Sequence, residues 1–191
     1  MNGEFFASLL EEKLAGTQII LPYRALLYPV ARAIPEMGAA YLADGRSFSR
    51  KGDLVNGIGC FCYGLGWLDA GVSLGLLTAK PAACRYGSWR VAALPDHLAG
   101  HLAEKSTRYE RLLSLALDAV EVSPERESPL SLAGERIHLV SSAFLREGRR
   151  SQGEGDRPRA LALFSYGHGW LDTGVRSGLF RVLAHREIFA L

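Results

Sequence analysis

Cysteine is scarce in this chain of 191 residues: there are three, Cys60, Cys62 and Cys84. An odd number without C-x-x-C spacing argues against a disulfide or zinc framework and favours a reducing compartment. An excess of one charge is also missing, since 22 Lys and Arg stand against 20 Asp and Glu. A net charge of +2 with the signs interspersed gives no strong field for nucleic acid. There is no H-E-x-x-H, and His101, His138 and His185 are scattered without paired metal spacing. No G-x-G-x-x-G follows a strand, so a phosphate-cradling loop is not expected. The first residues, MNGEFFASLLEEK, carry acids where an export signal needs a basic start and a long apolar run. The expectation is a cytoplasmic protein with no cofactor and no bound metal. With 48% hydrophobic and 22% charged residues, the composition is that of a soluble globular protein.

What the chain does have is a repeat. YGLGWLDAGVSLGLL, from Tyr63 to Leu77, returns as YGHGWLDTGVRSGLF, from Tyr166 to Phe180, with ten of fifteen positions identical at an offset of 166 − 63 = 103. The register continues upstream without a gap. It pairs Gly52-Asp53 with Gly155-Asp156, Phe61 with Phe164, Asp44-Gly45 with Glu147-Gly148, and Tyr41-Leu42 with Phe144-Leu145. A tandem duplication of one helical unit follows. The expected division is residues 1–78 and 95–191 with a connector at 79–94, around Pro81 and AACRYGSWRVAALP. Units this small bury limited cores and are expected to lean on each other.

Apolar residues Phe5, Phe6, Leu9, Leu10 and Leu14 recur at helical spacing, and Gly16 closes that helix. Pro22, Pro29 and Pro35 make the next stretch irregular, with Pro35 in the first turn of a helix to about Phe48. Asp53 reads as the N-cap of the long repeat helix. In the second unit Asp96 is expected to cap a helix through about Val120. Ser128-Pro129 opens a helix to about Arg146, and Asp156, with Pro158 in the first turn, caps the repeat helix. The tail from Arg181 reads as a short helix. No segment shows the strict alternation of a strand, so each unit reads as three helices and the whole as all-α, two tandem three-helix bundles. Leu54 to Leu77 is apolar and long enough to cross a bilayer. Asp69 inside it would cost about 2.5–3.5 kcal/mol near the bilayer centre. The matching stretch of the second copy carries Arg159, His168, Asp172 and Arg176, so no membrane span is expected.

The repeat helix is rich in glycine, and each interior glycine costs roughly 0.5–1 kcal/mol relative to alanine. Gly64, Gly71 and Gly75 fall on one side, and Tyr63, Gly66, Trp67, Ala70 and Leu74 on an adjacent one. Such a strip suits close contact with a neighbouring helix, or a groove that admits a ligand. Tyr63, Trp67 and Gly71, with Tyr166, Trp170 and Gly174 in the second copy, form the structural motif. The remaining face carries Leu65, Asp69 and Ser73 in one copy and His168, Asp172 and Arg176 in the other, four residues apart. His168, Asp172, Arg176 and Asp69 are thus the candidate binding residues. The trio could orient an imidazole or form a solvated ion-pair ladder. Neither explains Asp69, which lacks both partners, so both aspartates are expected to accept hydrogen bonds from outside their own helix. Arg46, Arg50, Lys51, Arg149 and Arg150 make both interhelix loops basic, as solvated tips or as an RNA or phosphate contact. Arg90 and His97 have an R-x6-H spacing that reads as chance beside Pro95.

The aromatic-leucine pair, the acidic-small pair, the GD cap and YGHGWLDTGVRSGLF together resemble an archaeal family of unknown function, domain family 357. Its members show an A-x-x-Y-x-x-D-A region and a YAHGLLDAGVRLG-like helix. The resemblance covers most of both units, with Ala40 to Leu77 and Ala143 to Phe180 at its core. It implies a small three-helix bundle per copy and carries no established activity. His168, Asp172 and Arg176 match the family's pattern, whereas Leu65 and Ser73 depart from it, so any function of the trio is expected to be lost in the first unit. The expected role is a non-enzymatic helical binding or scaffolding module with a protein partner or self-association. An RNA-processing or nucleotide-handling helical enzyme is the alternative.

Overall fold

The computed structural model describes residues 3–78, 89 and 91–190. Its helix boundaries follow from the capping residues. The Asp53 carboxylate accepts the backbone N–H of Asn56 at 3.0 Å, and Asp156 that of Arg159 at 3.1 Å, satisfying amides that the first turn leaves unpaired. The preceding Gly52 and Gly155 have φ of +83° and +84°, the left-handed region that a β-carbon disfavours. This GD turn joins α2 (Tyr28–Arg50) to α3 (Leu54–Ser73), and α5 (Pro129–Gly153) to α6 (Arg157–Arg176). The far ends of α3 and α6 also match. The amide of Leu76 bonds the Gly71 carbonyl and that of Leu179 the Gly174 carbonyl, closing Schellman caps around Gly75 and Gly178.

Ahead of these pairs lie α1 (Gly3–Gly16) and α4 (Ala99–Asp118). Each unit, described from the residues above, is thus a three-helix bundle, and the all-α duplication read from the repeat holds. Each unit also contains a small antiparallel ladder. β1 (Gln18–Ile19) pairs with β2 (Leu77–Thr78), and β3 (Val120–Val122) with β4 (Phe180–Val182), tying the end of the first helix to the end of the third. Strands of two or three residues are too short for alternation to show in a sequence.

Several boundaries differ from the sequence expectation. Pro29, not Pro35, occupies the first turn of α2, and Pro35 sits inside the helix. Buried Ala31, Ile34, Gly38, Leu42 and Gly45 keep helical spacing across it, so packing carries the helix past the lost hydrogen bond. Helices α2 and α5 run on to Arg50 and Gly153, which puts Arg46, Arg50, Arg149 and Arg150 on helices rather than in loops. Asp96 does not cap α4; it opens one turn of 3-10 helix, Asp96–Leu98, with Pro95 at its N-cap. Val120 lies in β3, and the tail forms β4 and a 3-10 turn, Arg186–Ile188, in place of an α-helix. Most of the expected connector, with Cys84 and Arg90, lies outside the described residues. No helix among the described residues is long and apolar enough to cross a membrane.

The glycines sort by partner. Gly64 faces Leu10 and Tyr41, and Gly167 faces Leu113 and Phe144. Gly71 faces Ile34 and Leu77, and Gly174 faces Ile137 and Phe180. Gly75 is not part of the strip, because it lies beyond the helix at φ +70°. The closest approach of backbone to backbone is at Gly66, which the sequence placed among the aromatics. A β-carbon there would fall on the Tyr166 carbonyl and 3.1 Å from the Gly169 α-carbon; one at Gly169 would fall on the Tyr63 carbonyl and 3.2 Å from Gly66. Helices α3 and α6 therefore cross glycine on glycine at equivalent positions, 66 + 103 = 169.

Because both obstacles are backbone, Gly66→Ala should destabilise the protein by about 2 kcal/mol or more through overpacking, despite alanine's higher helix propensity. Gly100→Ala, where a β-carbon meets nothing within 4 Å, should be neutral or stabilising by up to about 1 kcal/mol. Urea unfolding of both variants checks this, and a Gly66→Ala protein as stable as wild type rules the crossing out.

Candidate functional site

The glycine crossing sets the polar chemistry around it. Tyr63 lies three residues before Gly66, and Asp172 three after Gly169, as in an antiparallel crossing. The Tyr63 hydroxyl donates to Asp172 Oδ2, and reciprocally the Tyr166 hydroxyl donates to Asp69 Oδ2 at 2.7 Å. Each aspartate is thus held by the other repeat, as the survival of both carboxylates required. The tyrosine rings are packed in turn. Tyr41 lies 4.4 Å from Tyr63 and Phe144 4.5 Å from Tyr166, between ring centres, with Trp67 and Trp170 at 6.4 and 6.3 Å.

The trio His168, Asp172 and Arg176 does not form a solvated ladder. His168 and Asp172 are 6% and 1% exposed, with Nε2 and Oδ2 3.9 Å apart, whereas Arg176 is exposed and lines a separate hollow with Glu36, Met37 and Trp67. His168 and Asp172 instead line an open cleft of about 300 Å³ between the two units, together with Tyr41, Cys60, Tyr63 and Tyr109. Residues 187–190 of the tail close one side of it. His168 Nε2 is buried without a hydrogen-bond partner, and Asp172 Oδ1 makes no hydrogen bond of normal geometry. The backbone amide of Ala190 lies close enough to favour the ionised carboxylate.

The equivalent place around Asp69 is built differently. Leu65 stands for His168, Phe6 for Tyr109, Phe144 for Tyr41 and Leu163 for Cys60. Trp89 fills it, with its ring 5.0 Å from Phe6 and 5.6 Å from Tyr166. The Lys13 ammonium binds the Asp69 carboxylate directly, both groups largely buried. Its counterpart in the second unit is Ala116, 13 + 103 = 116, and no lysine or arginine lines the open cleft among the described residues. One aspartate is thus neutralised by its own chain and the other is left facing a cleft.

The family model described as a protein of unknown function (DUF357) matches residues 6–77 and again 108–180. The chain belongs to this family. No curated protein and no solved structure matches the chain significantly. The two DUF357 segments lie within the two helical units, and the cleft lies between them with residues 187–190 on one side. Among the described residues no group of three His, Cys, Asp or Glu is placed to hold a metal ion. The basic positions at the helix ends are partly committed within the chain: Arg46 pairs with Glu11 at 2.6 Å, Arg149 with Glu110 at 2.8 Å, and Arg150 with Glu147 and Glu154.

Of the cleft residues, sequence reading found His168 and Asp172 and missed Tyr41, Cys60 and Tyr109. Comparing the copies position by position at the offset of 103 would have found them, because each polar residue stands against Phe or Leu. Electrostatics separate the two DUF357 copies too. Burial pushes the Asp172 carboxyl above the ordinary carboxylate range, against the His168 imidazole and the Tyr63 hydroxyl, which favour its ionised form. Burial carries Asp69 up to about 7 against the Tyr166 hydrogen bond, and the Lys13 ammonium lies in contact with the carboxylate. Burial and the neighbouring carboxylates raise the Tyr63 and Tyr166 hydroxyls, which remain donors.

Removing Lys13 should therefore expose a pH dependence. In Lys13→Met the buried Asp69 carboxyl remains raised above its unfolded value of 3.8, so its protonated form favours folding and that stability is lost as pH rises through the raised folded pKa. The variant should lose about 3 kcal/mol or more at alkaline pH, as for one partner of a buried pair, and progressively less in acid. Arg176→Ala, an exposed substitution, should stay within about 0.5 kcal/mol at every pH. Denaturant titrations across the pH range measure both, and a pH-independent loss in Lys13→Met would count against the pairing.

Proposed function

We propose that this chain is a non-enzymatic binding module whose ligand site is the cleft between its two repeats, floored by His168 and Asp172. The observation that carries the reading is the His168 imidazole. A nitrogen buried without a partner costs about 1–3 kcal/mol, and the other repeat avoids that cost with Leu65 at the same place. A protein that retains such a group beside an open cleft, while its twin site is packed with Trp89 and Phe6, is arranged to receive a polar ligand at one of two equivalent places. Units at 1–78 and 95–191 joined by a 79–94 connector, a cytoplasmic setting and an archaeal source belong to the same reading; the free thiols Cys60 and Cys62 support the reducing interior. Arg176 has no part in the site. A protein partner or self-association is compatible with the scaffold. The alternative of an RNA-processing or nucleotide-handling enzyme draws less support, since Arg46, Arg149 and Arg150 are engaged by carboxylates and the cleft offers no cation for a phosphate.

Replacing His168 by leucine copies the closed repeat. The variant should be as stable as wild type or more stable by about 1 kcal/mol, because an unsatisfied buried polar group is removed. Fragments found by ligand-observed NMR against the wild-type protein should lose binding to it. Fragments that bind both proteins equally, or a strongly destabilised variant, would overturn the assignment of the cleft.

A further inference from the structure

The closed repeat shows what its aspartate takes. Lys13 reaches from α1 to place a primary ammonium against Asp69, on the carboxylate that also accepts the Tyr166 hydroxyl. The open repeat reproduces the receiving half of this arrangement: Asp172 accepts the Tyr63 hydroxyl in the same way. It does not reproduce the donating half, because Ala116 stands where Lys13 would be.

We infer that the cleft binds a primary alkylammonium group, which takes on Asp172 the place that Lys13 takes on Asp69. This rests on the cleft being the ligand site.

Three further features of the cleft fit that chemistry. Its lining is aromatic: Tyr41 and Tyr63 meet at 4.4 Å, His168 stands 6.0 Å from Tyr63 at 64°, and Phe189 stands 6.5 Å from His168 at 72°. A cation over the face of a tyrosine or phenylalanine ring, within about 6 Å of its centre, is attracted by the ring. The charge is of one sign, with Asp172 and Glu187 on the lining and no lysine or arginine among its described residues. Acidic groups lie beyond the lining as well: burial and then Asp44 and Asp53 push the Cys60 thiol up to about 12, while Arg108 acts the other way on Tyr109. Finally, the acceptors of the site match an ammonium, with only the Ala190 amide, among the described residues, near the Asp172 carboxylate besides the Tyr63 hydroxyl and His168. Asp172 Oδ1 accepts a charge-assisted N–H bond, and His168 Nε2, in the tautomer that leaves its lone pair free, accepts another. An anionic ligand would meet two carboxylates and no lysine or arginine among the described lining residues.

The test uses the full chain and n-butylammonium, which has the chemistry of a lysine side chain, beside its uncharged counterpart butanol. Binding is followed by two-dimensional amide NMR. Butylammonium should shift amides of Gly59, Tyr63 and Asp172, and bind about tenfold or more tightly than butanol, which is about 1.4 kcal/mol. Asp172→Asn should weaken butylammonium by about tenfold or more while leaving butanol unchanged, and a far-UV spectrum confirms the fold. The wild-type comparison stands even if that variant does not fold. Nα-acetyl-lysine methylamide is titrated in parallel: binding tighter than butylammonium assigns the ammonium to a polypeptide lysine, and weaker binding assigns it to a free amine, both in support. Equal binding of butylammonium and butanol overturns the inference, and so does binding by neither. If neutral or anionic fragments still occupy the cleft and are lost in His168→Leu, the cleft remains a ligand site and only its ammonium specificity falls.

Discussion

Two helices touching through glycine set the geometry from which the rest of this protein follows. Where α3 crosses α6, Gly66 and Gly169 bring the backbones so close that a β-carbon on either side would strike a carbonyl of the other. Glycine in a helix interior costs roughly 0.5–1 kcal/mol. Here the cost is offset by the approach itself, which lets Phe61, Leu65, Trp67, Phe164 and Leu171 join one buried core shared by both repeats. The crossing also decides which groups meet. Each tyrosine, three residues before the glycine, comes within reach of the aspartate three residues after its counterpart.

That reciprocal pairing explains why aspartate, a poor helix-interior residue, recurs at position 69 and position 172. A carboxylate buried between two helices needs donors, and each repeat supplies one hydroxyl to the other. One hydroxyl does not satisfy a carboxylate, and the two repeats complete the set differently. The first adds the Lys13 ammonium and packs Trp89 over the remainder; the second leaves a cleft lined by Tyr41, Tyr109 and His168. A pseudo-symmetric pair of sites with one filled from within provides an internal comparison, since differences between them cannot come from the backbone plan they share.

The cleft differences share one direction, while the elements that shape the backbone are kept. The GD turns, the Schellman glycines and the rings of Phe61 and Phe164 against Gly45 and Gly148 are alike in both copies. The substitutions Phe6 to Tyr109, Phe144 to Tyr41, Leu163 to Cys60 and Leu65 to His168 all point one way, towards polarity around Asp172. The duplicated scaffold is kept while the chemistry of one interface is changed.

Local interactions made much of this legible in the amino-acid sequence. The duplication, the helical character, the N-caps at Asp53, Ser128 and Asp156, and the need for an outside partner at both aspartates depend on residues close together in the chain or on comparison of the copies. The two-residue and three-residue strands, the run of α2 through Pro35 and the ends of α2 and α5 were decided by packing, which overrides propensity at element ends. Only tertiary structure placed Tyr63 on Asp172, across a sequence separation of 109 residues, and Lys13 on Asp69 across 56. It also separated Arg176 from His168 and Asp172. Spacing along one helix states which residues share a face; which face is buried, and what lies against it, depends on where a second helix crosses.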